Sequence, residues 1–337
     1  MRAFVVTGPG RGSVEDVEPP EAGAGQVVVD VARVGVCGTD VEFFTGEMAY
    51  LHQGYASYPI RLGHEWCGTV ASVGRDVDPA WLGRRVTGDT MLGCGHCRRC
   101  LAGGGHVCAD RSEIGIRGGF AGALAERLAV PVTALHALPD TVDDTAGALV
   151  EPGGNALRSV RGAALTPGDR LLVLGPGTIG LLVAEFARTE GAEVHVVGTS
   201  ARSLDFARTR GFSGVWPDGR IPALPWDAVV DASNDPAVPA LALDLVEPGG
   251  RIVYVGLSGT PSRIDTRTLA LKDVTAVGIL GASAGLAGTI ARYADAAVDP
   301  RPLVAATVGL DEVGGVLAGR LPDNAGPGPK VHVDPRR

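Results

Sequence analysis

Aromatic residues are scarce in this sequence: Phe, Trp and Tyr make up 5% of 337 residues, too few for a platform on which single-stranded nucleic acid could stack. Positive charge is short as well. The formal net charge is −8 with a pI near 5.4, and Arg98 and Arg99 form an isolated basic pair, whereas phosphate contacts need clustered Lys and Arg. No long hydrophobic run is present either. The longest uncharged apolar stretch, Leu171 to Ala184, is interrupted by glycines and a proline and is too short to span a bilayer. The N-terminus, Met1-Arg-Ala-Phe-Val-Val-Thr-Gly, turns polar at once and lacks the apolar core of a signal peptide. These absences predict a soluble cytoplasmic protein with neither nucleic acid nor membrane as partner. In that compartment six cysteines read as metal ligands or core thiols rather than disulfides.

What is present is an ordinary globular composition, 45% hydrophobic and 20% charged, so the chain is expected to fold. Its length exceeds what one core usually fills, and two domains are the expectation. Short Val/Ile/Leu runs separated by Gly and Pro at Ala3 to Thr7, Gln26 to Val34, Gly68 to Val73, Arg85 to Val86 and Leu124 to Val130 predict a β-rich first part. A short helix over Val142 to Leu149 is expected to end at Glu151-Pro152-Gly153-Gly154. After Pro167 the rhythm changes. Strand-like Arg170 to Leu174, Val194 to Val197, Ala228 to Ala232, Arg251 to Leu257 and Val274 to Leu280 alternate with helical Leu181 to Thr189, Arg202 to Arg210, Val238 to Val246 and Leu286 to Ala297. That alternation predicts a parallel, doubly wound sheet. The remaining tail, with a last strand at Lys330 to Val333, is expected to return to the first domain.

Gly175-Pro176-Gly177-Thr178-Ile179-Gly180 follows a predicted strand and opens a predicted helix, the context in which G-x-G-x-x-G cradles a dinucleotide pyrophosphate. A carboxylate some twenty residues on would bond a ribose 2′-hydroxyl, but Val197-Gly198-Thr199-Ser200-Ala201-Arg202 has none. Thr199, Ser200 and Arg202 suit a 2′-phosphate instead, which favours NADP(H) over NAD(H).

Two metal-type patterns lie between Val36 and Cys108. Cys94, Cys97, Cys100 and Cys108, spaced x2, x2 and x7, can close a tetrahedral zinc with four thiolates, a structural lobe over about residues 92–110. Cys37-Gly38-Thr39-Asp40 and Gly63-His64-Glu65 are sparser. Two or three such ligands plus a water make a catalytic zinc, whose open position polarises a substrate oxygen.

With these motifs in this order, the sequence resembles the zinc-dependent medium-chain dehydrogenases, the alcohol and polyol dehydrogenase superfamily, over nearly its whole length. The resemblance implies a GroES-like catalytic domain over 1–154 and 299–337 and a Rossmann cofactor domain over 155–298. It further implies two zinc ions per chain, a small alcohol or carbonyl substrate, hydride exchange with a nicotinamide, and a homodimer or homotetramer. Cys37 and His64 would ligate the catalytic zinc, and Glu65 would bind it directly or through exchange with water. Leu149-Val150-Glu151-Pro152 looks like the sorbitol, threonine and glucose dehydrogenase branch, so Glu151 is expected to bind the zinc or its water. Thr39 would accept the hydroxyl proton. Relatives often complete the relay with a histidine where this chain has Glu42, and two readings stand: Glu42 carries the proton or faces solvent. Lys330 resembles the family's late basic residue near the cofactor phosphates. Polar side chains around the metal motifs, Tyr50, His52 and Tyr55 among them, suit a polyol, cyclitol or sugar-like substrate. Two other readings remain open, a zinc-independent NADPH-dependent reductase of an alkene or imine, and a zinc-stabilised binding protein.

Overall fold

The computed structural model describes residues 1–337, which form two compact units, Met1–Glu151 with Asp299–Gly326 and Lys330–Arg337, and Pro152–Val298 with Pro327–Pro329. No helix is long and apolar enough to cross a membrane. The fold is α/β: a β-rich part on a mixed sheet and a part on a doubly wound parallel sheet.

The first unit is built on a mixed sheet. In spatial order its strands are Val304–Val308, Lys330–Val333, Gln26–Gly35, Glu65–Val73, Arg85–Gly88 and Leu135–Ala137, and Arg127–Pro131 also pairs with Gln26–Gly35. Gln26–Gly35 is the central strand because Val27, Val28, Val29, Val31 and Val34 are all buried, so both of its faces are covered. Trp66, Phe43, Leu62 and Leu128 close the core around it, each contributing roughly 1.5–3 kcal/mol through the apolar surface it removes from water. Its last residue, Gly35, pairs with Glu65 across an antiparallel ladder. A Cβ on Gly35 would stand 2.1 Å from Glu65 Oε2, so the small residue makes room for a buried carboxylate at the head of the neighbouring strand.

The second unit carries six parallel strands in the order Gly214–Pro217, Glu193–Gly198, Arg170–Leu174, Trp226–Asp231, Val246–Tyr254 and Thr275–Gly278. The chain starts in the middle, winds to one edge, then crosses to the other, which creates a switch point at the carboxyl end of Arg170–Leu174. Leu171, Leu172 and Val173 are fully buried, as a strand covered on both faces must be.

One sequence reading is overturned. The expected stop at Pro152-Gly153-Gly154 is the first turn of a 14-residue helix, Val150–Ala163. Proline is tolerated there because first-turn amides have no intrahelical acceptor. Gly153 is a packing residue rather than a breaker: a Cβ on it would lie 2.4 Å from the Tyr293 hydroxyl of the Leu286–Ala294 helix.

Candidate active site

The Gly38–Thr45 helix starts directly after Cys37, which occupies its N-cap with extended backbone. Asp40, fully buried one turn in, reaches back: its Oδ2 accepts the Cys37 amide at 2.9 Å and its Oδ1 accepts the Gly63 amide at 3.2 Å. The same Oδ1 lies 3.5 Å from His64 Nδ1. One carboxylate thus holds together two segments that carry candidate ligands. His64 is buried, and its carbonyl accepts from Thr90 Oγ1 at 3.1 Å. Burial opposes ionisation of both partners, but the mutual attraction outweighs it. Asp40 is held below the usual carboxylate range by His64 and the two amides, and His64 is raised well above its ordinary value by Asp40 and Cys37.

Ligand atoms of Cys37, His64 and Glu65 all lie within 4.8 Å of one another. A thiolate, an imidazole and a carboxylate converging in this way match the donor set of a zinc site that keeps an open position. The setting of Glu65 qualifies its role. Both of its oxygens accept from Lys330 Nζ, at 2.8 and 2.7 Å, and Nζ donates also to the Val36 carbonyl at 2.9 Å. Exchange of Glu65 onto a metal would therefore break two charge-assisted bonds.

The same contacts correct the expectation for Lys330. Its three donors are spent on Glu65 and Val36 and the side chain is buried, so the ammonium is an internal counter-ion rather than a group held out for cofactor phosphates. Burial works against its charge, but Glu65 and Cys37 more than offset this and raise it. Glu151, buried in the first turn of the Val150–Ala163 helix, is not part of the Cys37, His64 and Glu65 cluster. Thr39 and Glu42 sit three residues apart on one face of the Gly38–Thr45 helix, both half-buried. Burial, then Glu47, raises the Glu42 carboxyl. Asp40 and the Glu65–Lys330 pair are the site features sequence reasoning missed. The box Cys-x-x-Asp at a helix start was a visible signal for the first; the second needs the strand order.

Cys94, Cys97, Cys100 and Cys108 form a second cluster whose sulfurs likewise lie within 4.8 Å of one another. Cys97 caps the Arg98–Leu101 helical turn, and Cys108 closes the Gly105–Val107 turn. Backbone amides of His96 and Cys97 lower the Cys94 thiol, whereas burial and the neighbouring sulfurs push the Cys100 thiol up, so the four sulfurs share their protons unevenly.

In the second unit the glycine turn stands where the sheet switches direction. Gly175 has φ +108, and a Cβ on Gly180 would lie 1.9 Å from the Gly175 carbonyl, so both positions require glycine. Gly177 caps the Thr178–Thr189 helix, with Pro176 ahead of it and Ile179 in its first turn. Thr199 and Ser200 follow the second strand, both exposed, and Arg202 lies in the first turn of the Ala201–Thr209 helix. Ser200 Oγ accepts the Ser203 amide at 3.2 Å, so that hydroxyl already serves as a helix cap.

Residues 23–140 match the alcohol dehydrogenase GroES-like domain, and residues 178–297 match the zinc-binding dehydrogenase family. An L-threonine 3-dehydrogenase of Pseudoalteromonas atlantica is 30% identical over 286 residues, which cover 80% of this chain and 81% of that protein. The chain belongs to the zinc-type medium-chain alcohol dehydrogenases. It is an oxidoreductase of that family. Similar folds include a crystal structure from Escherichia coli, described as a short chain alcohol dehydrogenase complexed with NADH, at TM-score 0.90 and 25% identity over 99% of both chains. A zinc-binding dehydrogenase structure from Sinorhizobium meliloti bound to NADP gives TM-score 0.89 and 28% identity, again over 99% of both chains.

Proposed function

We propose that this enzyme interconverts a secondary alcohol and its ketone, with NADP(H) preferred over NAD(H), on a polyol, cyclitol or sugar-like substrate. The observation that carries the reading is the convergence of Cys37, His64 and Glu65 within 4.8 Å, tied together through buried Asp40. Cys37 and His64 would hold a catalytic zinc, with Glu65 and Glu151 as carboxylates available for exchange, and the four thiols of Cys94, Cys97, Cys100 and Cys108 a structural one. When bound, the zinc supplies Lewis acidity to the substrate oxygen and the nicotinamide supplies or accepts the hydride.

The chain's own groups divide the remaining work. Thr39 takes the hydroxyl proton, and Glu42, whose carboxyl is raised by burial, passes it on. Asp40 fixes the orientation of His64 and the Cys37 turn. Gly175, Gly177 and Gly180 leave the backbone bare for a pyrophosphate at the Thr178–Thr189 helix start. Thr199, Ser200 and Arg202 form a turn without a carboxylate, which supports the 2′-phosphate reading; the relatives above are of both kinds, one with NADH and one with NADP. The proposal includes a cytoplasmic homodimer or homotetramer, as the family resemblance implies.

The test is metal analysis of the purified protein together with nicotinamide absorbance on a panel of polyols and ketones. Two zinc ions per chain and reduction of NADP by a secondary alcohol are expected, with Cys37→Ala abolishing turnover. Absence of zinc together with no response to either nicotinamide would sink the proposal. Turnover that survives Cys37→Ala would point to the zinc-independent reductase.

A further inference from the structure

A cation–aromatic cluster stands beside the candidate site and has no structural task that uses its charge. Tyr50 and Tyr55 belong to the segment joining the Gly38–Thr45 helix to the His64 turn. Their rings meet edge to face at 5.6 Å. The Arg117 guanidinium lies 4.0 Å from the Tyr55 ring centroid and 5.6 Å from that of Tyr50. The hairpin that presents Arg117 is rigid: Glu113 and Arg117 exchange both backbone hydrogen bonds at 2.9 Å, and Gly118 N–H donates to the Tyr55 carbonyl at 3.2 Å. Its position is fixed relative to the ligand turn as well, since a Cβ on Gly115 would lie 2.9 Å from the Gly63 carbonyl, one residue before His64.

Several other arginines of this unit spend their charge internally. Arg33 pairs with Asp334 at 2.8 Å, Arg85 with Asp144 at 2.7 Å, and Arg111 with Glu113 at 2.8 Å while also donating to the Tyr50 hydroxyl at 3.1 Å. Arg117 has no carboxylate partner and no side-chain hydrogen bond, only the two rings. Stacking on tyrosine orients a guanidinium and strips part of its hydration while its N–H fork stays open, the arrangement that suits a planar or tetrahedral oxyanion.

We propose that Arg117, seated on Tyr55 and Tyr50, is a specificity-determining residue that binds an oxyanion, carboxylate or phosphate, carried by the alcohol substrate. The inference deepens the dehydrogenase reading and rests on it: the substrate is an acidic or phosphorylated polyol rather than a neutral one.

Steady-state kinetics of the zinc-loaded enzyme with sorbitol, sorbitol phosphate and gluconate test it, in wild type, Arg117→Met and Arg117→Lys. Wild type should favour one of the two anions over sorbitol, and which anion wins identifies the oxyanion. Arg117→Met should lower the anion-to-sorbitol ratio of kcat/KM by on the order of 10- to 100-fold, mostly through KM. Arg117→Lys should restore part of that ratio, because it keeps the charge but not the fork. A wild-type preference for sorbitol, or a ratio unmoved by Arg117→Met, overturns the inference. Should no alcohol be turned over, the dehydrogenase reading fails separately, and calorimetry decides: binding of sorbitol phosphate or gluconate that Arg117→Met abolishes upholds the site, and no binding by wild type removes it.

Discussion

The two clusters of ligand-type side chains in the first unit are built in opposite ways. In the four-cysteine lobe every ligand comes from one short stretch, on turns of three or four residues whose neighbours Arg98, Arg99 and Leu101 are exposed. Little apolar burial holds that stretch, so a bound metal must supply its order. In the Cys37 cluster the ligands come from a helix start and a strand head, the supporting carboxylate from the helix, and the counter-ion from a strand 265 residues away. Hydrogen bonds from Asp40 and the Lys330 contact, drawn from separate elements of the fold, position this cluster. One site is made by its ion; the other is made for it.

The largest expected effect follows from that contrast. Cys97→Ser, or removal of zinc by a strong chelator, should abolish the order of residues 92–110, because site energies of this type are roughly 10–16 kcal/mol and nothing else there replaces them. Hydrogen exchange over the lobe should rise to the unprotected limit while amides of the Gln26–Gly35 strand stay protected. Equal loss in both places would mean that the lobe is not a separate unit of stability.

Next in size is the buried pair. Lys330→Met leaves the Glu65 carboxylate buried with its counter-ion gone, a loss of about 3–5 kcal/mol. The double variant Glu65→Leu with Lys330→Met should recover most of it, since no charge is left to desolvate. Denaturant midpoints of the single and double variants measure the difference; a double variant as unstable as Lys330→Met would refute the ion-pair account.

How much could be read beforehand follows the same division. The four-cysteine lobe was legible in full because its geometry is local, and C-x2-C-x2-C-x7-C states it outright. Five strands of the six-stranded sheet are legible, Arg170–Leu174 and Glu193–Gly198 most clearly because they are buried runs, whereas the half-buried edge strand Gly214–Pro217 carries no such run. The setting of Glu65 was not, because it depends on Lys330–Val333 lying beside Gln26–Gly35, which in turn pairs with Glu65–Val73. No local pattern states that register, and from sequence alone Lys330 resembles a basic residue near the cofactor phosphates. The Val150–Ala163 helix was hidden by Pro152-Gly153-Gly154, which looks like punctuation until Tyr293 is known to pack against Gly153.

A smaller effect separates holding a ligand from being one. Asp40→Asn keeps the shape but replaces one accepting oxygen by an NH2 group, so the amide of Cys37 or of Gly63 loses its acceptor and His64 loses its anionic neighbour. Zinc affinity at the Cys37 cluster should fall about 10- to 100-fold, read by competition with a chelator. The four-cysteine lobe should keep its ion. Parallel loss from both sites would show that Asp40 acts on the fold in general.

The smallest effect comes from His332, which is fully buried with neither ring nitrogen hydrogen-bonded. Burial first, then Lys330 and Arg33, pull its imidazolium down from 6.5 to about 3. The unfolded chain therefore takes up this proton more readily than the folded one. The stability at stake is present in full above about pH 6.5 and is lost progressively as pH falls towards about 3, roughly 2 kcal/mol of it by about pH 5. His332→Phe should flatten the dependence of the denaturation midpoint on pH across that window. Acid reaches the four-cysteine lobe by another route, protonating thiolates and releasing their metal. Repeating the comparison on chelator-stripped protein separates the two. The flattening by His332→Phe must persist there, because it arises from burial in the strand next to Gly35 and owes nothing to a metal.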